Sequence, residues 1–73
     1  MKVYTITRIS RRYAGRCTVT RETPVTTLPT VAAVLTYAAA HGATPDDLDE
    51  IQDELADMGI SGWKGYTVDE RTI

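Results

Sequence analysis

The side chains of this chain that can do chemistry are mostly charged, and they are sorted by sign along its length. Lys2, Arg8, Arg11, Arg12, Arg16 and Arg21 fall in the first 21 residues, with no acid among them. Asp46, Asp47, Asp49, Glu50, Asp53, Glu54 and Asp57 crowd into a second block, and Thr23–Pro45 carries no formal charge. A net charge of −2 therefore conceals a basic end and an acidic end. Polarity of this kind governs which partners a protein attracts rather than which fold it adopts.

Each block has its own chemistry. Guanidinium groups on a two-stranded ribbon can enter a groove or track a phosphate backbone, and an interleaved Tyr can stack on an exposed base. Arg8, Arg11, Arg12, Tyr13 and Arg16 are the residues for that role. Two observations weigh against it: the same arginines can face the chain's own carboxylates, and a pI near 5.1 falls short of the usual basic footprint. The acidic block offers a different surface. A helix with carboxylates along one face presents a negative ridge that can dock on a basic groove, where charge complementarity sets association rate and partner choice. Asp46, Asp49, Glu50, Asp53, Glu54 and Asp57 form that ridge. No Lys or Arg lies between Arg21 and Lys64 to relieve their repulsion.

Trp63, in Gly62-Trp63-Lys64-Gly65-Tyr66, is the only Trp. It is either a core anchor or an aromatic hot spot beside the ridge, and it joins the candidate partner-binding set in the second role. Catalytic chemistry finds no support. A lone Cys17 and a lone His41 cannot build a zinc site or a disulfide. The EF-hand spacing is missing, and carboxylates strung along a helix do not converge on a cation. No phosphate loop or nucleophile elbow is present. The expectation is a protein that is not an enzyme and carries no metal or cofactor.

The elements that must position these residues follow from periodicity. Residues 2–12 alternate as a strand, with Tyr4 and Ile6 on one face and Val3, Thr5, Thr7 and Ile9 on the other. Arg11–Arg16 connects it to a second strand over Arg16–Glu22, ended by Pro24. A first helix is predicted from Thr27 or Leu28 to His41, with Pro29 in its first turn and Gly42 as its cap. Its apolar face is Leu28, Val31, Ala32, Val34, Leu35, Ala38 and Ala39, and its reverse face carries no charge. The second helix has Thr44 as N-cap, Pro45 at N1, a stripe of Leu48, Ile51, Leu55 and Met58, and Gly59 as its stop, with Ile60 as the apolar residue after it. Ser61-Gly62 reads as a turn and Trp63–Ile73 as a third strand.

The predicted architecture is one α+β domain over residues 1–73, ordered β-β-α-α-β. Its three-stranded, mainly antiparallel sheet has both helices on one face and the last strand beside the first. The uncharged middle is too short and too rich in Pro and Thr for the ~20 apolar residues of a membrane span. The start reads as a strand rather than a secretory signal, so a cytoplasmic protein is expected. A small core with no covalent support invites a homodimer, although a monomer is equally compatible. The function expected is that of an inhibitor or adaptor of the phage or mobile-element type, blocking a host nucleic-acid-binding or defence complex through the acidic helix face. The alternative is a nucleic-acid-binding module built on the Arg8–Arg21 hairpin.

Overall fold

The computed structural model describes all 73 residues, Met1–Ile73. Six elements follow one another: β1 (Lys2–Ala14), β2 (Cys17–Leu28), α1 (Val31–Ala40), α2 (Pro45–Met58), β3 (Ile60–Trp63) and β4 (Tyr66–Thr72). The strands form one antiparallel sheet in the order β2-β1-β4-β3. The class is α+β as the periodicity predicts, and the last strand does pair beside the first. The sheet has four strands, however, rather than three.

The extra strand corrects the reading of Ser61-Gly62 as a turn. Gly59, left-handed at φ 70°, already reverses the chain after α2, so β3 starts at the next residue. Gly62 serves close approach instead: a Cβ there would stand 2.6 Å from the Tyr66 carbonyl oxygen. The turn lies at Lys64-Gly65, between the paired Trp63 and Tyr66, with Gly65 at φ 81°.

The first helix starts later than predicted. Pro29 disfavours helical geometry at the residue before it, and Leu28 stays extended opposite Tyr4. Thr30 then caps α1, its hydroxyl accepting from the Ala33 N–H at 3.1 Å. Pro24 does not end β2 either. β2 is an edge strand, and the register slips between Ile6↔Thr26 and Thr7↔Pro24, leaving Val25 as the bulged residue. A proline is tolerated where the ladder needs no donor from it. In α2 the local signals hold. Thr44 and Asp47 close a reciprocal capping box, with bonds of 2.9 and 3.2 Å.

The core lies between the helices and one face of the sheet. Tyr4 and Ile6 of β1, Val68 of β4 and Trp63 of β3 pack with Val34, Ala38, Ile51 and Leu55. Met58 leaves the expected apolar stripe and is exposed at the end of α2, where Gly59 turns the chain away; Ile60, expected as the apolar residue after that stop, is exposed at the start of β3. Ala32 and Ala39 of α1 are exposed as well, on a helix surface that is neutral throughout.

The molecule is elongated for its size. Its radius of gyration is 13.0 Å, whereas a compact chain of this length would have about 11 Å. It exposes 5270 Å², against about 4,450 Å² for a compact protein of its mass. The excess comes from the β1–β2 ribbon. β1 pairs with β4 only as far as Arg8↔Tyr66, while its pairing with β2 continues to Ala14↔Cys17. Every residue from Ser10 to Val25 is exposed.

Two substitutions in β3 test this arrangement by urea denaturation. Gly62→Ala is expected to cost about 1–3 kcal/mol, because the β4 backbone must move. The Ser61 hydroxyl is buried without a hydrogen-bond partner, so Ser61→Ala is expected to be neutral or to stabilise by roughly 1 kcal/mol.

Candidate interaction surfaces

The ribbon distributes its arginines over both faces. Pairing sets Arg8↔Thr23, Ser10↔Arg21 and Arg12↔Val19 on the face that continues from Tyr4 and Ile6. Arg11↔Thr20 and Tyr13↔Thr18 point the other way. Gly15, at φ 64°, permits the tight connection at the tip, where Arg16 follows it. Tyr13 is 83% exposed, and all five arginines are exposed. A shallow groove of about 600 Å³ runs along the ribbon between Ser10, Arg12, Tyr13, Ala14, Val19 and Arg21.

The acidic ridge stands apart from the ribbon. α2 packs on α1 and on β3, the edge strand opposite β2. Asp46, Asp49, Glu50, Asp53 and Asp57 are exposed, while Glu54 and Asp47 are half-buried. Asp47 is committed to the capping box. None of these carboxylates has a cationic partner. The one salt bridge in the molecule joins Lys2 to Glu70 at 3.2 Å, at the far end of the sheet from the ribbon tip. The arginines of the ribbon therefore do not neutralise the helix, and two separate surfaces result. No three His, Cys, Asp or Glu side chains converge on a point that could hold a metal ion.

A third feature was not legible beforehand. Tyr37 and His41, one turn apart on α1 and its cap, stack at 3.9 Å. Trp63 and Tyr66, on either side of the β3–β4 turn, stack at 4.9 Å. Edge-to-face contacts of 6.0–6.5 Å join the two pairs. The Trp63 indole N–H donates to the His41 carbonyl at 3.2 Å. The His41 Nδ1–H donates to the Tyr37 carbonyl at 2.8 Å, since a carbonyl can only accept. Trp63 is 7% exposed and belongs to the core. It therefore offers no broad aromatic surface beside the acidic ridge, and Cys17 lies out on the ribbon, away from His41.

A second groove lies beside the β3–β4 turn. This cavity of about 480 Å³ is lined by Ile9, Arg11, Trp63, Gly65 and Tyr66. It occupies the notch where β4 stops and β1 continues with β2 alone, fixed by the Ile9 N–H donating to the Gly65 carbonyl at 2.9 Å. The spacing Tyr37/His41 was the available signal, because residues four apart share a helix face. Their meeting with Trp63 and Tyr66 depends on the strand that the sequence reading missed.

Compared with known proteins, the chain matches no family model, no curated protein and no solved structure. No helix is long and apolar enough to cross a membrane.

The unbalanced ridge has a measurable consequence. Asp49, Asp53 and Asp57 stand at i,i+4 spacing, so Asp53→Lys converts two repulsions into two attractions. The expected gain is about 0.5–1 kcal/mol at low salt, fading at high salt. Thermal melts of this variant and of the parent at both salt levels check it.

Proposed function

We propose that this protein is a non-catalytic binding module whose acidic helix face docks on a basic surface of another protein. The observation that supports this most is the isolation of the ridge: exposed carboxylates on α2 with no cation of the same chain against them. An acidic face needing only structural stability would be improved by a single Lys among its carboxylates, as the helix pair energies indicate. Left wholly negative, the face repels itself but attracts and orients a basic partner. In this reading the residues that carry function are Asp46, Asp49, Glu50, Asp53, Glu54 and Asp57. The protein acts as an inhibitor or adaptor in the cytoplasm, of the kind phages and mobile elements use against host nucleic-acid-binding or defence complexes. That last assignment rests on size and charge alone.

A second reading has an observation of its own. A two-stranded ribbon is marginal in water without something packed on it, yet this one leaves Tyr13, Val19 and Val25 largely exposed. The surface exceeding that of a compact protein is roughly 800 Å², about the area one partner contributes to a standard interface. With five arginines and one acid, Glu22, between Arg8 and Glu22, the matching partner is anionic. Nucleic acid bound through Arg8, Arg11, Arg12, Tyr13 and Arg16 is the reading this favours.

The acidic-face reading is tested with the triple variant Asp49→Lys, Asp53→Lys, Asp57→Lys. Parent and variant are immobilised side by side and challenged with cell extract at low salt. The parent is expected to retain basic proteins that the variant, still folded by circular dichroism, does not. Retention of the same proteins by both would remove the ridge from consideration.

A further inference from the structure

We infer that the tip of the β1–β2 ribbon is an arm for the major groove of B-form duplex DNA, entering with its two faces toward the two phosphate walls. The inference rests on the second reading above and deepens it by naming the duplex, the groove and the orientation. Strand register gives each face of the ribbon its own cations. Arg8, Arg12 and Arg21 lie on the face that continues from Tyr4 and Ile6, and Arg11 lies on the opposite face with Tyr13. Arg16 sits with Gly15 in the turn at the tip. No carboxylate falls between Ile9 and Arg21, and Glu22, the register partner of Ile9, stands at the base of the ribbon.

Dimensions select the occupant. Beyond the last β1–β4 pair, Arg8↔Tyr66, β1 runs on as Ile9–Ala14, a free length of about 20 Å. A sheet with its side chains is about 10 Å thick, and the major groove of B-DNA is about 12 Å wide and about 8.5 Å deep. The ribbon fits between the walls, and its free length keeps the body clear of the duplex. Arg11 and Arg12 stand about 7–10 Å back from Ala14, one toward each wall, while Arg21 and Arg8 lie nearer the base and meet phosphates at the rim. Arg16 is carried to the base edges. Other anions match the arm less completely. The B-DNA minor groove, about 6 Å wide, and the narrow major groove of A-form RNA do not admit it. A single strand or an acidic peptide lies along one face and leaves the arginines of the other unmatched. An anionic membrane calls for one apolar face, and this ribbon has cations on both. The carboxylates of α2 lie toward the opposite edge of the sheet, away from a duplex at the tip.

The experiment titrates the full chain into a short labelled DNA duplex, following anisotropy at about 50 and 200 mM salt. The same titration is made with one separated strand, with the RNA duplex of the same sequence, and with a DNA duplex whose pyrimidines carry bulky C5 substituents that fill the major groove. Arg11→Gln and Arg12→Gln, exposed and on opposite faces, are compared with Arg71→Gln, which removes an exposed charge at the far end of β4. The DNA duplex is expected to bind several-fold more tightly than the other three. Arg11→Gln and Arg12→Gln should each weaken it several-fold and lower its salt slope by about 0.9, and Arg71→Gln should leave it unchanged. Weakening by only one ribbon variant would overturn groove entry, because the ribbon would then lie flat on one face, and would leave the ribbon reading intact. Equal or tighter binding of the single strand, the RNA duplex or the substituted duplex would do the same. No binding of any nucleic acid at the lower salt would overturn both the arm and the ribbon reading. So would binding that neither ribbon variant weakens, or that Arg71→Gln weakens equally.

Discussion

The pairing of β1 with β4 is the interaction on which the rest of this structure depends. It joins the first residues of the chain to the last, from Lys2↔Thr72 to Arg8↔Tyr66, and it sets Ile6 beside Val68, both fully buried. Neither the β1–β2 ribbon nor the β3–β4 hairpin has a core without it, because a lone two-stranded hairpin is at best marginal. Once the two hairpins share a ladder, Tyr4, Ile6, Val68 and Trp63 present one apolar face, and α1 and α2 cover it with Val34, Ala38, Ile51 and Leu55. The core is small, eight residues, so each contributes heavily to a stability that is modest in any domain of this size.

The same ladder decides where the charges go. Because β4 is shorter than β1, the pairing runs out at Arg8 and the remainder of β1 continues outward with β2 alone. The arginines are carried away from the body by that mismatch in strand length. The strand order places α2 over the opposite edge, on β3. Separation of the two charged surfaces is thus a consequence of topology rather than of local sequence. It also creates the notch, since the Lys64-Gly65 turn ends against Ile9 and leaves the flank of the ribbon open beyond it.

What was legible in the sequence was local. Thr44, Pro45 and Gly59 bound α2 correctly because caps and stops act within a turn of the residue that supplies them. The alternation of Tyr4 and Ile6 against Val3, Thr5, Thr7 and Ile9 assigned the faces of β1 for the same reason. Failures came where a residue has two local meanings and a distant contact selects one. Gly62 signals a turn in isolation, but the approach of Tyr66 requires a glycine in a strand. Pro24 signals a strand end, yet β2 lies at the sheet edge and bulges past it. Met58 continues the spacing of Leu48, Ile51 and Leu55, yet nothing covers it where Gly59 reverses the chain. Of the candidate sites, the charged residues themselves were legible; whether they met was not.

The central claim is that the basic ribbon and the acidic helix point away from each other. Cys17 is the only cysteine, exposed on the ribbon next to its tip, so a nitroxide attached there probes that claim in the native protein. The most direct measurement is paramagnetic broadening of backbone amides by NMR, in dilute solution at low salt. The account predicts broadening confined to the ribbon, with the amides of Asp49, Asp53 and Asp57 keeping full intensity. Broadening of those α2 amides that disappears on raising the salt would contradict it, because the ribbon would then be folded back onto the carboxylates.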